Sequence, residues 1–105
     1  MVDTDDVDDG PQGRFDWDEH NALHIEEEHG VSVQEAEELF DDDDRLYIRR
    51  SDTDTERRWM FIGRTFAGRL LVVIYTWRNS KIRVVTVREP NRGERTFWAG
   101  RRDGR

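Results

Sequence analysis

The chain has 105 residues, of which 34% are hydrophobic and 39% charged, and it contains no cysteine. That length suits one domain with a modest core and excludes a multi-domain enzyme, while the missing thiols exclude a disulfide scaffold, a cysteine zinc site and a thiolate nucleophile. The net charge of −7 is unevenly divided: residues 1–56 hold 21 acids against 4 arginines, a balance of −17, and residues 57–105 hold 3 acids against 12 arginines and one lysine, a balance of +10. Such a split points to a polyanion-binding surface in the second half and to an acidic interaction tail or a salt-adapted, carboxylate-rich surface in the first.

Residues 1–13, with five aspartates and a closing Gly-Pro-Gln-Gly, read as a disordered acidic tail ahead of a single domain over residues 14–99. Phe15 and Trp17 bring the first large apolar groups. Asp16 or Asp18 can cap a helix running through Glu28, with Ala22, Ile25 and His29 at helical spacing and Gly30 as its stop. Ser32 followed by Glu35 is a capping box for a second short helix that ends near Phe40. Four strand-like stretches come next, at Arg45–Arg50, Arg57–Gly63, Arg69–Trp77 and Lys81–Arg88, and the short turns at 65–68 and 78–80 predict that they pair antiparallel in order. Pro90 ends the last strand. Asn91 and Glu94 form another cap-like pair, opening a helix through Phe97 and Trp98 before a basic disordered tail over residues 100–105. The expected architecture is α+β: two N-terminal helices, an antiparallel sheet of about four strands and a C-terminal helix. The longest apolar run, Leu70–Tyr75, is too short to span a bilayer, and the acidic start lacks the pattern of a secretion signal, so a cytoplasmic protein with no membrane contact is expected.

His20 and His24 lie one turn apart, at a spacing zinc accepts, but two exposed histidines on an acidic helix are also common by composition, and no metal site is assigned. His29, before Gly30, occupies a helix C-terminus, as a structural cap or as a catalytic imidazole. Arginines at 57, 58, 64, 69, 78, 83, 88, 92 and 95 interleave with Trp59, Trp77, Phe97 and Trp98. Guanidinium groups beside aromatic faces suit single-stranded RNA, although Trp59 and Phe61 also fit a core and the arginines also balance neighbouring carboxylates. Glu94 is either the capping partner of Asn91 or a carboxylate held among Arg88, Arg92 and Arg95, where it would keep its charge and suit a base better than an acid.

These residues carry a resemblance. Phe15-Asp16-Trp17-Asp18-Glu19, then His29-Gly30-Val31-Ser32 with Glu35-Ala36 and Phe40-Asp41-Asp42, look like the start of the BrnT family of type II toxins. Arg58 with Ile62-Gly63, Arg69 through Val73 with Tyr75-Thr76, Ile82 through Arg88, and Glu94-Arg95 continue it in order, over roughly residues 15–98. The resemblance implies a RelE-like fold, a ribonuclease that arrests translation without cofactor or metal, and neutralisation by a BrnA-like antitoxin in a dimer-based hetero-oligomer that meets DNA only through the antitoxin. It also points to His29, Arg83, Arg88 and Glu94 as catalytic residues. Arg58, joined by Arg64, Arg92, Arg95 and Trp98, would bind RNA. Arginine stays charged, so Arg83 and Arg88 can only position phosphate and neutralise charge, leaving proton transfer to His29 or Glu94. Strict strand alternation would put Arg83 and Arg88 on opposite faces unless a bulge intervenes or Arg88 lies beyond the strand. The chain departs from the family at Asn21 and Glu28, where lysine is usual, at Ile25, usually polar, and at Trp98, usually tyrosine. Three readings therefore stand: an active ribonuclease toxin, a catalytically silent partner that acts with its antitoxin as an operator co-repressor, or an arginine-rich binder of single-stranded RNA that does not cleave it.

Overall fold

In the computed structural model, which describes residues 13–52 and 57–103, the Asp18 carboxylate accepts from the Asn21 backbone N–H while the Asn21 side-chain oxygen accepts from the Asp18 N–H. This reciprocal cap opens α1 (Glu19–His29). Gly30 closes the helix in the left-handed region at φ 65°, a conformation that costs glycine nothing, and its N–H returns to Glu26 O. Two residues on, Ser32 and Glu35 cap α2 (Val33–Leu39) in the same reciprocal way, as their spacing predicts.

The strands are β1 (Leu46–Asp52), β2 (Arg57–Arg64), β3 (Leu70–Arg78) and β4 (Lys81–Arg88), forming one antiparallel sheet in chain order. Asn79 and Ser80 both take positive φ, 54° and 66°, which matches the twist of a two-residue hairpin between β3 and β4. The α+β architecture is as expected. Asn91 and Glu94 exchange backbone and side-chain hydrogen bonds of 2.8 Å at the start of α3 (Arg92–Asp103). That helix is longer than its composition suggests: Gly100 lies inside it, and it runs five residues past Trp98. One glycine costs a helix only about 1 kcal/mol relative to alanine, and Arg101 places positive charge in its last turn. The basic tail expected over 100–105 is therefore helical as far as Asp103, with residues 104 and 105 outside the described part. The expected acidic tail, apart from Gly13, also lies outside the described residues.

Both faces of the sheet are covered. Phe61, Leu71, Val73, Tyr75, Ile82, Val84 and Val87 face α1 and α2, meeting Phe15, Ile25, Val31, Ala36, Leu39 and Phe40 in the main core. On the other face Ile62 and Val72 pack under Trp98 of α3, flanked by Leu46, Ile48, Met60 and Leu70. Two-sided cover explains why β2 and β3 read as nearly continuous apolar runs.

β4 holds the one irregularity that bears on function. Ile74 pairs with Thr86 and Tyr75 with Val84, so Val85 is an extra residue, a bulge. Arg83 then pairs with Thr76 and Arg88 with Val72. Residues 72 and 76 of β3 share a face, so Arg83 and Arg88 do too, on the side that carries α3.

Candidate active site

α1 runs beside β4, and the two elements are joined by polar contacts along the free edge of the sheet. Asn21, buried at 4% exposure, donates to Val84 O at 3.1 Å and to Asp16 O at 3.2 Å. His24 Nε2 lies 3.2 Å from Thr86 Oγ1. His29 meets the His24 ring edge to face at 5.9 Å between centroids. Phe15 bridges Ile82, and Asp16 N–H donates to Ile82 O, so the start of the domain covers the beginning of this edge.

Two hollows flank these contacts. The first, of about 370 Å³, is lined by His20, Asn21, His24, Arg58, Thr76, Arg78, Arg83, Val84 and Val85. The second, of about 430 Å³, is lined by Glu28, His29, Arg88 and Glu89. The His24–Thr86 and His24–His29 contacts stand between them. The edge thus carries Arg58 and Arg83 at one end, imidazoles in the middle and Arg88 at the other.

The arginines are held by carboxylates. Arg83, with a side chain 12% exposed, reaches Asp16 at 3.6 Å and Asp18 at 3.1 Å. Asp18 lies below its ordinary carboxylate range chiefly because it accepts from the Asn21 backbone N–H, and Arg83 adds to the effect. Arg88 makes a two-pronged pair with Glu94, at 2.8 and 2.9 Å, and donates to Glu89 O at 3.2 Å. The guanidinium of Arg88, more than the cap at Asn91, holds the Glu94 carboxyl below its usual range, against the opposing effect of partial burial. An anionic Glu94 locked by Arg88 and the Asn91 N–H serves as an anchor between β4 and α3. Arg69 is also a strut: it donates to Gly30 O at 3.0 Å and His29 O at 3.4 Å and pairs with Glu35 at 3.3 Å, fixing the end of α1 to β3.

The residues singled out from the sequence divide accordingly. His29, Arg58, Arg83 and Arg88 line the two hollows, and Glu94 stands behind Arg88. Arg64, Arg92 and Arg95 are exposed and line neither hollow. Trp98 is 4% exposed and packs on Ile62 and Val72, with the Arg64 and Arg101 guanidinium groups 5.8 and 5.9 Å from its ring centre, which makes it a core residue rather than an open stacking face. Its indole N–H is buried without a partner. Trp77 and Phe97 are the half-exposed aromatics of the predicted set. Asn21 is a buried structural amide and Ile25 a fully buried core residue, whereas Glu28 puts an acid in the hollow beside His29 and Arg88.

His24, which its spacing from His20 offers as a zinc ligand or an exposed surface residue, instead meets Thr86 of β4. Helical periodicity marks Ile25 as core-facing, and His24 lies beside it, but only the position of β4 shows what His24 meets. Among the described residues no three His, Asp or Glu side chains gather as a metal-binding group, and no helix is long and apolar enough to cross a membrane.

In a comparison with curated proteins, no match is found. Residues 17–94 match the profile of the family described as ribonuclease toxin, BrnT, of type II toxin-antitoxin system, a span from Trp17 to Glu94 that takes in both hollows. The chain belongs to the BrnT family of ribonuclease toxins of type II toxin-antitoxin systems.

Proposed function

We propose that this protein is the toxin of its pair and cleaves RNA by turning the 2′-hydroxyl on the adjacent phosphate, with no metal in the reaction, and that a BrnA-like antitoxin neutralises it. That chemistry needs a group to take the 2′-hydroxyl proton, positive charge around the phosphorus as negative charge builds there, and a group to protonate the leaving 5′-oxygen. His29 supplies an imidazole, the side chain whose ordinary ionisation falls in the neutral range. Arg83 and Arg88 supply fixed positive charge, and Arg58 helps to seat the strand. The observation that carries this function is the bulge at Val85, which gives Arg83 and Arg88 a common face beside the imidazoles of α1. Arg64, Arg92 and Arg95, exposed outside the hollows, would hold flanking phosphates, and Trp98 would contribute by supporting Arg64.

Purified protein is expected to cut single-stranded RNA into fragments ending in 2′,3′-cyclic phosphate, with chelator present, at low or molar salt. Uncut RNA under all of these conditions would overturn the nuclease assignment. The carboxylate-rich surface fits a salt-adapted protein, for which activity would persist at molar salt. One observation favours the silent co-repressor instead: both Arg83 and Arg88 are already paired with the protein's own carboxylates. In that case expression without the antitoxin leaves growth unchanged, while the two proteins together bind operator DNA more tightly than the antitoxin alone.

A further inference from the structure

We infer that the two proton transfers are divided between two imidazoles, with His24 as the base that receives the 2′-hydroxyl proton and His29 as the acid that protonates the 5′-oxygen. This rests on the nuclease function proposed above and assigns a catalytic role to His24. Glu94, the other candidate for proton transfer, is removed from the role by its two-pronged pair with Arg88 and its bond from the Asn91 N–H. The edge of the sheet then offers imidazoles as its proton carriers, and the rings of His24 and His29 touch. His24 borders the hollow that holds Arg58 and Arg83, while His29 borders the one that holds Arg88. One phosphate seated over the two rings would have an imidazole near each of its in-line oxygens and an arginine on either side.

The direction of transfer follows from the charges around each ring. His29 is in the last turn of α1, at the end where a helix dipole favours positive charge. Glu28 of its own helix and Glu89 beyond β4 line its hollow with Arg88, and Arg69, just before β3, holds its backbone carbonyl. That is a place for a proton donor. His24 shares its hollow with Arg58 of β2, Arg78 of β3 and Arg83 of β4, with His20 one turn before it and Glu27 and Glu28 one turn after it on its own helix. Its Nε2 is turned to the Thr86 hydroxyl, which orients the ring. In the step itself the 2′-oxygen loses its proton to His24 and bonds to phosphorus. The bond from phosphorus to the 5′-oxygen breaks, and that oxygen takes a proton from His29. The products are a 2′,3′-cyclic phosphate and a free 5′-hydroxyl, and the imidazoles end with their protonation exchanged.

The test is single-turnover cleavage of a short single-stranded RNA, across pH, by the wild type, His24→Ala, His24→Gln and His29→Ala. His24 is exposed, so its replacement is expected to leave the melting curve in place. The wild type should give a bell-shaped profile. His24→Ala and His24→Gln should each lose about 100-fold or more in rate and lose the acidic limb, with the affinity for a 2′-deoxy analogue of the RNA unchanged. His29→Ala should lose the alkaline limb. Wild-type rate and an intact bell in His24→Ala would overturn the role of His24 and leave the nuclease function standing. A wild type that cuts nothing would overturn both.

Discussion

The two faces of the sheet do different work. On the side of α1 and α2, Phe40, Phe61 and Tyr75 meet at 5.0–6.1 Å around a core drawn from α1, α2, β2, β3, β4 and the segments that join them, and Tyr47 closes it with a 2.8 Å bond to the Tyr75 hydroxyl. Burial, helped by that bond, raises Tyr75 well above the ordinary phenol range, so it stays a neutral core residue. On the side of α3 the apolar cluster is small, and the strand positions around it include four arginines, Arg58, Arg64, Arg83 and Arg88. A sheet with one deep face can leave charged side chains on the other, because stability does not depend on filling both equally.

The largest effect should come from breaking the deep face. Phe61→Ala empties the centre of the aromatic group and is expected to cost about 3–5 kcal/mol in denaturant unfolding, against about 0.5–1.5 for Ile62→Val on the shallow side. A loss no larger than that of Ile62→Val would mean that the aromatic group adds little to the core. Arg83→Ala probes the shallow face instead: cleavage should fall by about 100-fold, with a much smaller change in stability than Phe61→Ala. Asn21→Leu strips the buried donor from Val84 O and should destabilise by about 1–3 kcal/mol, read by thermal melting. Gly30→Ala forces alanine into a left-handed turn with open space around it, a cost of about 1 kcal/mol.

The smallest change should appear on the pH axis. Because the folded pKa of Glu94 is lowered, its contribution is complete above the ordinary carboxylate range and is lost as pH falls through the lowered value. Melting of Glu94→Gln and wild type between pH 7 and 3 should therefore converge toward acid. Parallel curves would show that the Arg88–Glu94 pair contributes nothing to this dependence.

Much of this was legible because it is local. Ser32 and Glu35, Asn91 and Glu94, Gly30, and the short turn at residues 78–80 each specify a backbone shape over a few residues, and each appears as its chemistry requires. The placement of Arg83 and Arg88 was legible only as a choice, since alternation has a fixed period and a bulge resets it through pairing with a distant strand. Asn21 looked like a lost surface cation because its true partner, Val84 O, is 63 positions away. His24 read as half of a zinc-spaced pair or an exposed surface residue for the same reason, its contact Thr86 being 62 positions away. Gly100 looked like a stop, yet a glycine within a helix has only a modest cost.

The extra residue in β4 has one more consequence. β4 lies at the end of the sheet, bonded to β3 on one side and touched on the other by Phe15, Asp16 and the Asn21 amide. A surplus residue there interrupts one ladder, where in β2 or β3 it would interrupt two. Deleting Val85 would leave Arg83 opposite Thr76 and Arg88 opposite Val72, so both arginines would keep their face; what the surplus residue adds is the local twist of a bulge and the Val85 side chain in the wall of the first hollow.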